Sequence, residues 1–208
     1  MVYGLAHEGA PTDYQYDVVS GVSAGSINNG IFSLFPKGQE KEMTEFGAQL
    51  VKRMNNSVIF KEWPGGIVDG LVYQQGVLDN TPLWKFLNDT IAETGATKIH
   101  RKLVISAGDV NTGSYHAFNE SVGIENLATV IKASASIPGA FPPTHFQGGT
   151  YMDGGTIWNT NLVTAIKRCL ETVQDESQIV LDVIISDSIY EQEEDKVSKD
   201  AFDNYMRQ

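Results

Sequence analysis

A serine stands between two glycines in the pentapeptide Gly21-Val22-Ser23-Ala24-Gly25, a pattern that gains meaning from the segments on either side of it. The run before it, Tyr16-Asp17-Val18-Val19-Ser20, is rich in β-branched residues and predicts a short strand. The run after it predicts a helix that ends at Pro36, because its apolar residues recur at helical spacing: Ile27, Ile31, Phe32, Leu34 and Phe35. A strand, a sharp turn and a helix therefore follow one another, with Ser23 at the turn.

The rest of the chain continues this alternation of strands and helices. Hydrophobic periodicity, caps and turn residues predict helices over 39–54, 81–91, 124–136 and 160–172, and strands over 101–107, 114–118, 150–152 and 179–185. We therefore expect an α/β fold, a three-layer α/β/α domain with a mostly parallel central sheet. This domain is predicted to span residues 1–186, and the acidic segment 187–208 is predicted to form a solvated helix or tail.

Composition excludes several classes of function. The net charge of -11 and the absence of a Lys/Arg cluster argue against a protein that binds nucleic acid. The same charge gives no long-range attraction to an anionic membrane. Cys169 is the only cysteine, which excludes an intrachain disulfide and a thiolate metal cluster. No apolar run is long enough to span a bilayer.

The serine at the turn has the setting of a nucleophile. In a strand-turn-helix elbow the backbone of Ser23 is strained, and Gly21 and Gly25 avoid collisions with the neighbouring strand and helix. The N–H of Ala24 then points at the oxyanion of a tetrahedral intermediate, in front of the positive end of the following helix. The same residues also suit a simple loop in which Ser23 or Ser26 caps a helix.

The sequence offers no histidine in the usual place for the base. The four histidines lie at positions 7, 100, 116 and 145, and none follows Asp153. An α/β-hydrolase places its histidine after its acid, so that fold is disfavoured. His145 is close to Asp153 along the chain and could approach the serine, but its apolar neighbours suit a structural residue equally.

Asp153 is the best-placed alternative base. It ends a short predicted strand and precedes Gly154 and Gly155, which let the backbone turn tightly and bring the carboxylate toward other strand ends. An Asp-Gly turn without catalytic function explains the same residues, and the sequence pattern alone does not choose between the two interpretations.

Three blocks together resemble the patatin-like phospholipase family: the pentapeptide around Ser23, the segment from Ala133 to Pro143 (ASASIPGAFPP), and Asp153-Gly154-Gly155. The resemblance implies that Ser23 is the nucleophile and that Asp153 is its partner in a dyad that needs no histidine. The family also has a glycine-rich loop, upstream of its first helix, that completes the oxyanion hole. By this resemblance the chain is expected to be N-terminally incomplete, lacking that loop and the strand before it.

The resemblance further implies a lipid acyl hydrolase that cleaves a carboxylic ester through an acyl-serine intermediate, with no metal and no organic cofactor. Its partner would be a lipid or fatty-acyl ester, with peripheral contact to a membrane or micelle. Four apolar residues could line an acyl groove or touch lipid, although core packing explains them as well: Ile59, Phe60, Trp63 and Val72. The alternative function is a catalytically impaired fragment or pseudoenzyme that binds lipid or assembles with other subunits. The compartment and the oligomeric state stay open, and a signal peptide upstream of Met1 would indicate secretion.

Overall fold

The computed structural model describes residues 2–9 and 14–185, and the acidic segment predicted at 187–208 lies outside the described residues. The helices, numbered along the chain, are α1 (Val2–Glu8), α2 (Ala24–Phe32), α3 (Glu40–Arg53), α4 (Asn56–Ile59), α5 (Gly66–Tyr73), α6 (Thr81–Glu93), α7 (Ile124–Ser134) and α8 (Leu162–Cys169). The strands are β1 (Val18–Val22), β2 (Lys61–Glu62), β3 (Leu78–Asp79), β4 (Lys102–Asp109), β5 (Tyr115–Phe118), β6 (Thr144–Phe146) and β7 (Gly149–Asp153).

The α/β architecture is confirmed, and its main sheet is mixed. Strands β1 and β4 are parallel, whereas β4–β5, β4–β7 and β6–β7 are antiparallel. The prediction of a mostly parallel sheet therefore holds only for the β1–β4 pair. Short connections explain the antiparallel pairs β4–β5 and β6–β7, because two strands joined by a tight turn must run antiparallel, but β4 and β7 are far apart along the chain. Gly113 has a positive φ between β4 and β5, and both Gln147 and Gly148 have positive φ between β6 and β7.

The strand β4 is the centre of this sheet and organises its neighbours. Residues 102–106 of β4 pair with β1, and residues 107–109 pair with β7. Strand β5 pairs with residues 105–108, which overlap both of these stretches. Because each strand has only two edges, β5 occupies one edge of β4 while β1 and β7 share the other, end to end.

Helices cover both faces of the sheet. On one face α2 and α7 contact each other and the sheet, and α6 packs against α7. The main core lies there, with completely or almost completely buried side chains at Ile31, Leu87, Leu103, Ile105, Leu127 and Ile131. On the opposite face α8 contacts β1 and β4. Among the described helices, none has the length and apolar character needed to span a membrane.

A buried arginine fixes the approach to β1. The side chain of Arg101 is 1% exposed and pairs with Glu40, with 2.9 Å between the charged atoms. Its guanidinium also donates to the carbonyl oxygens of Tyr16, Phe35 and Pro36. The arginine thus ties Tyr16, which lies two residues before β1, to the chain that follows α2, and so holds the strand-turn-helix unit at both ends.

The predicted strand 179–185 is wrong. The described residues there form no strand, and several of the apolar side chains are exposed: Val180, Leu181, Val183, Ile184 and Ile185. A cleft of about 650 Å³ separates this segment from β1. Local β-branched composition favours an extended chain, but strand formation also needs a hydrogen-bonded neighbour, which this segment does not have among the described residues.

Candidate active site

Ser23 lies between β1 and α2 in a strained conformation. Its φ of 53° and ψ of -124° belong to a region that non-glycine residues rarely adopt. The chain can make this turn because position 21 carries no side chain: a Cβ on Gly21 would lie 2.1 Å from the carbonyl oxygen of Gly25. The strain projects the Ser23 hydroxyl away from the strand, as the elbow interpretation of the sequence requires.

Asp153 meets this hydroxyl directly. The Ser23 Oγ donates a hydrogen bond of 2.6 Å to Oδ2 of Asp153. The other carboxylate oxygen, Oδ1, accepts a hydrogen bond of 2.8 Å from the N–H of Gly155. Each oxygen of the carboxylate therefore has a donor, and Oδ2 is the one aimed at the serine.

The register of β4 explains how residues 130 positions apart come together. Val22, the last residue of β1, is opposite Ser106, and Asp153, the last residue of β7, is opposite Ala107. Because β1 and β7 occupy the same edge of β4, their ends face each other at adjacent positions. Ser23 follows Val22 immediately and so lies beside Asp153.

The surroundings of Asp153 change its acidity. The residue is 4% exposed, and burial raises the pKa of its carboxyl above the usual range of an aspartate. The hydrogen bonds from Ser23 and from the Gly155 N–H oppose this rise, because they stabilise the charged form. A carboxylate with a raised pKa is a stronger base than one in water, which suits it to take a proton from a serine.

Sequence reasoning missed a second layer of polar residues behind the serine. The Ser134 hydroxyl accepts a hydrogen bond of 3.0 Å from the Ser23 N–H and donates one of 2.6 Å to the carbonyl oxygen of Ser106. The Asn161 side chain, 3% exposed, donates to the hydroxyl of Ser106. Ser134 falls within the block 133–143 that carries the resemblance, so that block is the sequence feature that could have pointed to Ser134. No pattern in the sequence connects it to Ser106 or Asn161.

Ala24 begins α2, as expected, and no described residue accepts a hydrogen bond from its N–H. This N–H is free for an oxyanion, with the positive end of α2 behind it. Ser23 and Ala24 also border the cleft beside β1. The cleft follows β1 on one side and residues 178–185 on the other, and its lining continues past Ser23 to Asn29 and Phe32 of α2.

The glycines of the two motifs differ in how much space a side chain would have. A Cβ on Gly154 would lie 2.6 Å from the carbonyl oxygen of Ser106, and one on Gly155 would lie 3.0 Å from Oδ1 of Asn159. Both positions are therefore crowded. Gly25 differs, because a Cβ there has open space in the described structure. The expectation that both elbow glycines prevent collisions thus holds for Gly21 and not for Gly25.

The histidine alternative finds no support in the geometry. His145 is exposed on β6, and its Nδ1 lies 3.0 Å from the hydroxyl of Thr150. The Ser23 hydroxyl donates to one carboxylate oxygen of Asp153, and the Gly155 N–H donates to the other. Within the described part of the chain, no side chain of a histidine is hydrogen-bonded to either residue of the pair.

Comparison with known proteins gives one family. No curated protein matches the chain. The family model described as patatin-like phospholipase matches residues 3–166, which contain the elbow, β4, α7 and Asp153. This match covers well over half of the 208 residues. The chain belongs to the patatin-like phospholipase family.

Proposed function

We propose that this protein is a lipid acyl hydrolase in which Ser23 is the nucleophile and Asp153 is the general base. The family is generally one of hydrolytic esterases, and a phospholipase family implies a lipid substrate. The observation that carries the residue assignment is the 2.6 Å hydrogen bond from the Ser23 hydroxyl to Asp153. A buried acceptor at this distance is in position to take the hydroxyl proton.

The proposed reaction has two steps. Asp153 accepts the proton of Ser23 while Oγ attacks the ester carbonyl carbon, and the negative charge forms on the carbonyl oxygen near the Ala24 N–H. The intermediate collapses when the leaving alcohol takes the proton back from Asp153, which leaves an acyl group on Ser23. A water molecule, deprotonated by Asp153, then attacks the acyl-serine. Asp153 returns that proton to Oγ of Ser23 as the ester bond breaks and the fatty acid leaves.

The dyad is tested with a short-chain soluble ester and a fluorophosphonate probe. We expect turnover by the wild type, labelling at Ser23, and loss of both in Ser23→Ala. The matched control is Ser121→Ala, because Ser121 is exposed and lies in a different part of the fold. If Ser23→Ala and Ser121→Ala turn over the ester equally, the assignment of Ser23 is wrong.

The oxyanion site is proposed to need more than the Ala24 N–H. The cleft beside β1, which Ser23 and Ala24 border, leaves room for further donors near the oxyanion. Loss of an oxyanion donor costs on the order of a hundredfold to a thousandfold in rate.

The single identified donor also favours a second candidate, a lipid-binding protein with little or no catalysis. This candidate predicts that lipid binds but the fluorophosphonate does not label Ser23. Labelling of the wild type that is absent in Ser23→Ala excludes it.

A further inference from the structure

Helix α5 is apolar on the side that faces solvent. Five large side chains are between 59% and 75% exposed: Ile67, Val68, Leu71, Val72 and Tyr73. The first four lie at helix positions i, i+1, i+4 and i+5, so they form one continuous surface. We call these four residues the α5 apolar face. A surface helix of a globular protein normally has the opposite arrangement, with its apolar side toward the core.

The side of α5 that faces the protein has a glycine where an apolar side chain would be usual. Gly70 is the buried residue of the helix, and a Cβ on it would lie 2.5 Å from the carbonyl oxygen of Gly76. The Trp63 side chain lies against the same position and donates from its indole N–H to that carbonyl oxygen at 2.9 Å. The helix backbone is therefore held tightly against the protein while its aliphatic side chains point outward.

The segment after α5 connects it to the candidate active site. The N–H groups of Val77 and Leu78 donate to the carbonyl oxygens of Gly139 and Ala140. The Asn80 side chain then donates to the hydroxyl of Ser136 at 3.1 Å. The carbonyl oxygen of that same serine accepts the N–H of Asp153 at 2.8 Å. The segment that follows α5 is thus bonded to residues 136–140, and Ser136 in that second segment is bonded to Asp153.

Charge restricts what can cover this face. Helix α5 contains one charged residue, Asp69, and Lys61 is the only Lys or Arg between Arg53 and Lys85 in the sequence. Lys61 pairs with Asp79 at 3.3 Å. With a net charge of -11 for the whole chain, an anionic surface would be repelled rather than attracted. A surface that suits this face has an apolar interior and carries uncharged or zwitterionic groups where it meets water.

We propose that the α5 apolar face docks this protein onto a neutral or zwitterionic lipid surface by inserting into its acyl-chain region. The proposal rests on the proposed function, because a hydrolase of lipid esters must reach substrate that is packed in an aggregate. Docking by α5 would hold the loop 136–140, and with it Asp153, close to the lipid. Most of the binding comes from apolar burial, so affinity should change little with salt.

The test is flotation of the full chain with phosphatidylcholine vesicles. Wild type and Ser23→Ala should bind equally, whereas Val68→Asp and Leu71→Asp should each bind at least about tenfold more weakly, because a carboxylate is disfavoured in an acyl layer. The matched control is Val51→Asp on α3, since Val51 is similarly exposed at 61% and lies outside α5. Circular dichroism and thermal unfolding check that every variant folds.

Soluble-ester turnover separates docking from catalysis. Val68→Asp and Leu71→Asp should hydrolyse a monomeric short-chain ester at the wild-type rate. If no form hydrolyses the ester but Ser23→Ala still binds vesicles and the α5 variants do not, docking stands and the proposed catalysis fails. Equal vesicle binding by wild type and the α5 variants overturns the docking proposal.

Two other occupants are outcomes of the same experiment. If phosphatidylglycerol is required in the vesicles, the neutral-surface proposal is wrong. If gel filtration shows a wild-type dimer that Leu71→Asp converts to a monomer, while phosphatidylcholine vesicles are bound by neither, the face pairs with a second copy and the proposal is also overturned.

Discussion

The Cα of Gly21 lies so close to the carbonyl oxygen of Gly25 that a Cβ would come within 2.1 Å of it. Gly21→Ala should therefore push β1 away from the start of α2 and destabilise the protein by ~3 kcal/mol. Gly25→Ala is the matched control, because its Cβ has open space and alanine favours a helix. Chemical denaturation measures both, and equal stability of the two variants would contradict this account of the elbow.

The pH dependence of turnover should report the raised pKa of Asp153. The carboxylate must be ionised to accept the Ser23 proton, so activity should rise with pH through that pKa. Because burial raises this pKa, the acidic limb should lie above the ordinary aspartate value of 3.8. The measurement is kcat/KM against pH with a soluble ester whose own ionisation does not change. Asp153→Asn should lose on the order of a hundredfold to ten-thousandfold in rate and show no such limb.

Stability should depend on pH through the same group, with a defined sign. The folded-state pKa of Asp153 is raised above its unfolded value, so its contribution to stability is complete below the unfolded pKa and is lost as pH rises through the folded pKa. Wild type should therefore lose stability relative to Asp153→Asn across that window. Denaturant unfolding at a series of pH values tests this, with Asp89→Asn as the control because Asp89 is exposed. A constant difference between wild type and Asp153→Asn would contradict it.

Ser134→Ala should affect the active site without touching the reacting atoms. It removes the acceptor of the Ser23 N–H and the donor to Ser106, and leaving buried polar groups unpaired costs about 1–3 kcal/mol. We expect kcat to fall roughly tenfold because the strained backbone of Ser23 loses a support.

Ser33→Ala is the control for that variant. Ser33 is also completely buried, and its hydroxyl donates to the carbonyl oxygen of Gly30 in α2. It should lose stability while its kcat for the soluble ester remains that of the wild type. A similar fall of kcat in both variants would indicate a general loss of packing instead of a support specific to Ser23.

Elements with local signals were predictable from the sequence. Helix α6 has Pro82 in its first turn, and the hairpin between β4 and β5 has Gly113 at its turn. The elbow was predictable for the same reason, because the strand before Ser23 and the helix after it each have their own pattern. The structure places Ser23 and Asp153 at the predicted junctions, in mutual contact.

Features that depend on strand pairing or on distant contacts were not predictable. The segment 179–185 has the composition of a strand but no strand partner among the described residues. The sharing of one β4 edge by β1 and β7 is set by register, which no local pattern encodes. Val72 could be core or surface by its sequence, and only the structure shows that it is 64% exposed.

Strand β1 is an edge strand of the main sheet, and this position affects how the protein behaves in concentrated solution. The carbonyl of Asp17 bonds to Lys102 of β4, so by strand alternation Val18, Ser20 and Val22 turn their backbone groups away from β4. Of these groups, the Ser20 carbonyl accepts a side-chain hydrogen bond, from Asn29. Among the described residues these groups face the cleft and not another strand, and an edge without a partner strand is a template for the strand of another chain. Concentrated samples should therefore self-associate through β1, and an extended peptide that binds this edge should keep them monomeric.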